Sequence, residues 1–86
     1  MVATVVRFGV RVLDGECIPV PGLELGARFK YEHEPSTWTS AVTDGDGTAE
    51  FCDEHSEPPL RVDVYIGESL CDTFPVEDGA TFVLEV

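Results

Sequence analysis

Residues 2–13 read VATVVRFGVRVL, and this stretch sets the pattern that most of the chain repeats. Its even-numbered residues are apolar or β-branched, whereas Arg7, Gly9 and Arg11 interrupt the odd-numbered series. Successive side chains of a β-strand point to opposite faces, so this alternation predicts a strand with one buried and one exposed face. We expect the even-numbered side chains of residues 2–12 to face the core.

The same period of two returns after each cluster of turn-forming residues. Asp, Gly and Pro are concentrated at residues 14–22, 44–47, 58–59 and 77–79, where we expect turns between strands. The acidic segment 53–59 is predicted to be a loop. No stretch shows helical periodicity, so we expect no helix longer than a single turn.

This pattern predicts an all-β fold, a single seven-stranded antiparallel β-sandwich of the immunoglobulin-like type that spans residues 1–86. The side chains expected to form its core are Phe8, Phe29, Phe51, Val62, Val64 and Leu84. By the same alternation Tyr31, Trp38 and Leu60 point inward, whereas Tyr65 points outward. Core packing is the favoured role of Tyr31 and Trp38, and a platform for a sugar or a peptide is the alternative.

Acidic residues dominate the composition. Seventeen of them against five basic residues give the 86-residue chain a formal net charge of −12. Such a surface repels phosphate backbones, so we expect no nucleic-acid partner. The acidity fits either a high-salt proteome or a GC-rich genome, and the sequence favours neither.

No part of the sequence has the pattern of a membrane or export segment. No apolar run is long enough to cross a bilayer, and residues 1–12 lack the basic segment that opens a signal peptide. We therefore expect no membrane partner, and a location that is cytoplasmic or reached by a non-classical export route.

The few basic residues are distributed unevenly. Residues 1–30 hold four basic and three acidic residues, whereas residues 31–86 hold one basic and fourteen acidic residues. If the first two strands pair in one sheet with the fifth beside the second, the basic side chains share one outer face. The candidate binding residues of this basic face are Arg7, Arg11, Arg28, Lys30 and Arg61, with Tyr65 as the exposed aromatic residue. We expect this face to bind a protein partner or to support self-association, and ordinary cross-strand ion pairing is the alternative.

Residues 44–50 read DGDGTAE and contain the start of a calcium-loop pattern. An EF-hand loop needs glycine at its sixth position and an acidic residue at its twelfth. Ala49 and His55 stand at those positions. We therefore interpret the motif as a hairpin turn, with calcium at Asp44, Asp46 and Glu50 as the alternative.

The cysteines and histidines give no complete catalytic or metal-binding pattern. Cys17, Cys52 and Cys71 are an odd number, which favours reduced and partly buried thiols, although a Cys52–Cys71 disulfide is an alternative in an oxidising compartment. Cys52 and His55 form a single C-x-x-H pair, whereas structural zinc uses two pairs. Neither His33 nor His55 is placed beside a recognisable nucleophile. We expect no enzyme activity, no bound metal and no cofactor.

The order of turns resembles the transthyretin-like (prealbumin-like) β-sandwich, as in carboxypeptidase regulatory-like and collagen-adhesin B-type domains. The matching residues are Asp14 and Gly15, the run PVPG at 19–22, the run TDGDG at 43–47, and Phe51. The resemblance covers nearly the whole chain and implies a two-sheet sandwich.

The sequence departs from the pattern of these relatives in three ways. Adhesin repeats often carry an isopeptide bond from a first-strand lysine to a last-strand asparagine. Here the first strand offers Arg7 and Arg11 and the last has no asparagine, so we expect no such bond. The transthyretin-related hydrolases use a tyrosine-containing C-terminal tetrapeptide, and this chain ends in FVLEV. The carboxypeptidase regulatory domain accompanies a catalytic domain, and we expect none within these 86 residues. We expect a small non-catalytic interaction or structural module, an accessory protein or a component of an assembly, with calcium or carbohydrate binding as the alternative function.

Overall fold

The computed structural model describes residues 3–86, which form β-strands and no helix. The strands are β1 (Thr4–Leu13), β2 (Glu24–Lys30), β3 (Thr37–Val42), β4 (Thr48–His55), β5 (Arg61–Ile66), β6 (Ser69–Phe74) and β7 (Thr81–Glu85). Val2, the first residue of the predicted inward face, lies outside the described residues. The described residues include no helix that is long and apolar enough to span a membrane.

The strands form two sheets, one in the order β4-β1-β7 and the other in the order β3-β2-β5-β6. The prediction of purely antiparallel pairing is wrong at one place, because β7 runs parallel to β1 from the Gly9–Thr81 pair onward. The turn before β7 brings the chain to the start of β1: Asp78 Oδ1 accepts a hydrogen bond from Arg7 N at 2.9 Å, and Gly79 N donates to Arg7 O. The last strand therefore enters beside the first in the same direction.

The first two strands lie in different sheets, which corrects the expectation that they pair. Leu13 still forms an isolated bridge to Pro19, after which the chain crosses to the second sheet and begins β2 at Glu24. The fifth strand does lie beside the second, as expected. The five basic residues therefore do not share one face: Arg7 and Arg11 belong to one sheet, and Arg28, Lys30 and Arg61 to the other.

The inner faces of the two sheets meet in one hydrophobic core. Phe8 from the first sheet contacts Phe29 from the second, with ring centroids 5.8 Å apart, and it also packs on Phe51 and Phe82. All six residues predicted for the core are buried, and so is Tyr31. The even-numbered residues from Val6 to Val12 are buried and Thr4 is half-buried, so the predicted register of β1 is confirmed from Thr4 to Val12.

Two residues predicted to face inward are exposed. Trp38 is 52% exposed, because β3 pairs with β2 so that Ala41 lies opposite Leu25, and the odd-numbered side chains of β3 therefore face the core. Leu60 is 60% exposed and precedes β5, where its N–H donates to Lys30 O. Strand β5 begins at Arg61, so Leu60 precedes it, and the predicted inward series of β5 starts at Val62 with its register unchanged.

The turn motifs that carry the family resemblance lie against each other at one end of the sheets. Thr43 Oγ1 donates to Val20 O at 2.7 Å, and Val12 N donates to Gly47 O at 2.7 Å. Gly47 has a φ of +74°, and a Cβ there would stand 2.8 Å from Val12 O, so both its backbone conformation and its surroundings require glycine.

Candidate binding surface

An exposed aromatic cluster lies on the outer face of the four-stranded sheet. Strands β3, β2 and β5 are neighbours, and their register sets Arg28 opposite Trp38 on one side and Asp63 on the other. Gly26 lies opposite Tyr65, and it is two residues before Arg28 on β2, so both face outward. A Cβ at Gly26 would overlap the indole of Trp38, so the ring extends from β3 across β2 towards β5.

The three large side chains of this cluster are in mutual contact. The rings of Trp38 and Tyr65 have centroids 5.3 Å apart and planes tilted by 52°. Arg28 Cζ lies 5.7 Å from each centroid, which is within the range of a cation–π interaction. With Gly67 and Glu68 of the β5–β6 turn, they line a depression of about 290 Å³, which we call the aromatic groove.

Positive charge continues along the sheet from the aromatic groove. Lys30 and Arg61 are directly opposite each other on β2 and β5. Arg61 Nε lies 3.4 Å from Asp63 Oδ1, and the same oxygen accepts a hydrogen bond from Thr73 Oγ1 at 2.9 Å. Arg28 and Lys30 take part in neither of the ion pairs found among residues 3–86. Their charges are therefore open to a partner.

The other two predicted basic residues lie on the outer face of the three-stranded sheet. Arg11 lines a depression of about 410 Å³ with residues of the 44–50 turn and β7. In that turn Asp44 Oδ1 accepts hydrogen bonds from Asp46 N at 2.9 Å and Thr48 N at 3.1 Å. The Asp44 carboxylate thus closes a turn, and Arg11 lines the same depression as Asp44, Asp46 and Glu50, the three residues of the calcium alternative. The predicted hairpin is wrong, because the strands that this turn joins, β3 and β4, lie in different sheets.

The cysteines are exposed, which corrects the expectation that their thiols are partly buried. Cys52 lies on the outer face of β4 opposite Arg7, whereas Cys71 lies in the other sheet, at an irregularity in the β5–β6 pairing. His55 faces the opposite side of β4 from Cys52 and stacks on Tyr31, with ring centroids 4.1 Å apart. The C-x-x-H residues therefore do not converge. Among residues 3–86 no group of three or more His, Cys, Asp or Glu is arranged to hold a metal ion.

A buried polar pair, Tyr31 and Asp53, is absent from the sequence-based expectations. Strand β4 continues to His55, so residues 53–55 belong to a strand and not to the predicted acidic loop. Asp53 shares the inner parity of Phe51 and is only 7% exposed, and both its oxygens accept from the Tyr31 hydroxyl at 2.7 Å. The pKa of Tyr31 is raised to about 12, chiefly by burial, and the nearby Asp53 carboxylate contributes to the increase. The sequence feature that could have predicted this contact is the position of Asp53, two residues after Phe51 and therefore on the same face of the strand.

A second polar contact joins two exposed loops. Glu57 accepts hydrogen bonds from His33 N at 2.9 Å, Glu34 N at 3.1 Å and His33 Nδ1 at 3.1 Å. The backbone N–H of His33 is the largest cause that holds the pKa of the Glu57 carboxyl below its usual range. Both histidines of the chain are thus engaged in structural contacts.

Comparison of the chain with protein-family models, with curated proteins and with solved structures gave no match, so inference about function rests on the geometry of the aromatic groove.

Proposed function

We propose that this chain is a small, non-catalytic binding module that docks a protein partner on the outer face of its four-stranded sheet. The aromatic groove is the centre of this surface, and Arg28, Lys30 and Arg61 supply its charge. Tyr65 and these three basic residues belong to the sequence-based set, whereas Arg7 and Arg11 remain on the opposite sheet as surface charges.

The fold that we propose is a single immunoglobulin-like, transthyretin-like β-sandwich. Two features support it. Phe8 and Phe29 contact each other across the sheets, so both inner faces contribute to one core. The motif residues Thr43 and Gly47 bond to Val20 and Val12, so the turns that resemble the family form one connected end.

The exposure of Trp38 is the observation that carries the binding proposal. An indole that could have been packed in the core is half exposed, next to a second aromatic ring and an arginine. Trp, Tyr and Arg are the residues most enriched among those that dominate binding energy at protein interfaces. Val42 and Leu70 are also exposed on β3 and β6 of the same sheet, and they extend the apolar surface on both sides of the groove.

The charge of this surface indicates the chemistry of the partner. The chain has a net charge of −12, and the four-stranded sheet carries three of its five basic residues. Arg61 is paired with Asp63, and Glu68 lines the groove. Arg28 and Lys30 therefore supply the positive charge that a partner can meet. An acidic polypeptide segment with one apolar or aromatic side chain complements it, because the side chain can enter the groove while carboxylates meet Arg28 and Lys30. A depression of about 290 Å³ accommodates one such side chain.

The non-catalytic part of the proposal is supported by the roles of the two histidines. His33 bonds to Glu57 on a surface loop, and His55 stacks on Tyr31 with its Nδ1 buried and without a hydrogen-bond partner among residues 3–86. Neither ring forms a hydrogen bond to a hydroxyl or thiol group among residues 3–86. A carbohydrate is the second candidate ligand, because a sugar ring can stack on the exposed face of Trp38.

Binding of peptide and glycan arrays by the purified chain tests the proposal. The peptides carry several Asp or Glu residues around one Leu, Phe, Tyr or Trp, and Trp38 is the chain's single tryptophan, so its fluorescence reports occupancy of the groove. For a peptide that binds, we expect Trp38→Ala to raise Kd by about thirtyfold, the usual cost of losing an aromatic hot spot, and Arg28→Gln by about tenfold.

The matched control is Val83→Ala, which removes an exposed apolar side chain from the opposite sheet. It should leave Kd unchanged. Equal affinity of wild type and Trp38→Ala for every bound peptide would refute the groove as the docking site. Binding restricted to the glycans would replace the peptide ligand by a carbohydrate.

A further inference from the structure

We infer that the free edge of β3 pairs with β3 of a second copy of this chain, so that two four-stranded sheets form one continuous eight-stranded sheet. This inference does not rest on the ligand proposed for the aromatic groove, because it is argued from the backbone and composition of β3, although the pairing places Trp38 and Val42 of the docking surface at the contact between the two chains. It concerns an edge strand that the fold leaves open on one side.

The composition of β3 sets it apart from the other edge strands. Its sequence TWTSAV is the only one among the seven described strands that has no charged residue, and it contains neither proline nor glycine. The edge strand β4 carries three acidic residues, β6 has an irregular register and an aspartate, and β7 is five residues long and ends in Glu85. Charge, irregularity and shortness are the features that protect edges from pairing, and β3 has neither charge nor irregularity.

The backbone of β3 presents alternate residues to the open edge. Thr43 N donates to Leu23 O, so the odd-numbered residues of β3 point their N–H and C=O groups at β2. The bond from Leu60 N to Lys30 O agrees with this assignment. It shows that the even-numbered residues of β2 direct their backbone groups at β5, so the odd-numbered ones direct theirs at β3. Trp38, Ser40 and Val42 therefore offer their backbone groups to the open edge.

A two-fold axis through Ser40 satisfies these groups. In an antiparallel pair with the same faces outward, Ser40 lies opposite its own copy and Trp38 lies opposite Val42. All three positions are then hydrogen-bonded pairs, which gives about six backbone hydrogen bonds. Trp38 and Val42 are 52% and 57% exposed in the single chain. In the dimer, Trp38 of each chain lies beside Val42 of the other chain.

Charge explains why β3, and not a basic surface, is the self-pairing element. Two chains that each have a net charge of −12 repel each other. Contact through an uncharged strand increases this repulsion less than contact through an acidic strand would. The strand β4, with Glu50 and Glu54 on its outer face, contacts β3 from the other sheet and approaches its own copy in the dimer. Added salt should therefore strengthen this association, whereas it would weaken a contact between basic and acidic surfaces.

Sedimentation equilibrium over a range of protein and sodium chloride concentrations tests the inference. We expect a monomer–dimer equilibrium whose dissociation constant falls as salt rises. Ser40→Lys places two ammonium groups opposite each other on the axis and should raise that constant at least about tenfold. The control Ser69→Lys makes the same substitution at an exposed position of β6, and it should leave the equilibrium unchanged.

A cysteine at the axis provides a direct measurement. In a background with Cys17, Cys52 and Cys71 replaced by serine, Ser40→Cys should form a disulfide-linked dimer on mild oxidation, because hydrogen-bonded residues lie about 5.5 Å apart at Cα and disulfides need about 4.4–6.8 Å. Ser69→Cys in the same background should remain monomeric. A wild-type chain that is monomeric at every concentration, a mass that falls with salt, growth beyond a dimer, or a Ser40→Lys variant that dimerises like wild type would each overturn the inference.

Discussion

The indole of Trp38 occupies the space above Gly26 that a side chain on the neighbouring strand would fill. A glycine on an outward position of a central strand leaves a gap in the surface of the sheet, and an aromatic ring from the adjacent strand can cover it. Here the covering ring reaches as far as Tyr65 on the strand beyond and remains half exposed. The relationship between Gly26 and Trp38 thus creates the aromatic groove.

Gly26→Ala should therefore disrupt the groove without altering the core. The new methyl group overlaps the indole, so Trp38 must rotate away from Tyr65, and we expect a loss of about 1–2 kcal/mol in the free energy of unfolding. Trp38 is the single tryptophan, so its fluorescence emission should shift to longer wavelength as the ring becomes more exposed. Gly45→Ala is the control, since a Cβ there meets nothing within 4 Å, and an unshifted emission in Gly26→Ala would contradict the packing.

The alternation of side chains predicts which face of most strands is buried, and it does so where large apolar residues alternate with charged ones. Strands β1 and β2 have that contrast, with Phe8 and Phe29 inside and Arg7 and Arg28 outside. Strand β3 lacks this contrast between apolar and charged residues, because Trp38, Ser40 and Val42 alternate with two threonines and an alanine. Burial of the indole then depends on which residues pair with Leu25, and that is a property of the sheet and not of the strand sequence.

The sheet to which each strand belongs could not be predicted from alternation, because alternation distinguishes inside from outside and carries no information on partners. For that reason the expectation that Arg7 and Arg28 share one face is wrong, since they lie in different sheets. The buried Asp53 was missed for a related reason: a carboxylate among acidic residues is typical of a loop, and only its bond to Tyr31 makes burial acceptable. Both errors concern partners that are distant in the chain.

Phe8 is the central core residue, and its removal should destabilise the fold far more than the removal of an exposed side chain. It contacts aromatic rings in both sheets, at centroid distances of 5.5–5.8 Å. We expect Phe8→Ala to lower the free energy of unfolding by about 3–5 kcal/mol, measured by chemical denaturation. Phe8→Leu keeps most of the volume and should cost less, and Val83→Ala on the exposed face should have little effect. Similar losses for Phe8→Ala and Val83→Ala would show that the core is placed wrongly.

The Tyr31–Asp53 pair should make the fold sensitive to alkaline pH. The folded pKa of Tyr31 is about 12, above its ordinary value of 10.0, so the unfolded chain releases the phenolic proton first. The stabilisation is complete below pH 10 and is lost as pH rises towards 12, by about 2–3 kcal/mol in total. Absorbance of tyrosinate should show a transition near pH 12 in wild type that Tyr31→Phe lacks. Identical absorbance curves for the two proteins above about pH 11 would contradict the buried contact.

Tyr31→Phe should also destabilise the fold at neutral pH, because it leaves the buried Asp53 carboxylate without its main donor. We expect a loss of about 2–3 kcal/mol in the free energy of unfolding, which is typical of an unpaired buried charge. Combining Tyr31→Phe with Asp53→Asn removes that charge and should recover part of the loss. Additive losses in the double variant would mean that the two side chains do not interact.

Glu57 should contribute to stability on the acid side. Its folded pKa is lowered by the hydrogen bonds from His33 and Glu34, so its contribution is present above the unfolded pKa and is lost as pH falls through the folded value. An NMR titration should find Glu57 protonating below the ordinary glutamate pKa of 4.5. His33→Ala removes the ring donor and retains the backbone donors, so the pKa of Glu57 should rise only in part. A Glu57 whose pKa is not below that ordinary value would exclude the loop contact.

Salt should stabilise the folded chain. The net charge of −12 resides mainly in residues 31–86, and the mutual repulsion of these acidic residues is greater in the compact state than in the unfolded one. The Debye length shortens from about 30 Å at 0.01 M to about 3 Å at 1 M ionic strength, so the melting temperature should rise with sodium chloride. To separate this effect from dimer formation, the series is measured on Ser40→Lys. Adding Glu68→Gln and Glu77→Gln to that variant removes two exposed charges, which should raise the melting temperature at low salt and make its increase with salt smaller. A melting temperature that does not change with salt in either variant would rule out charge repulsion as a significant term in the stability of this fold.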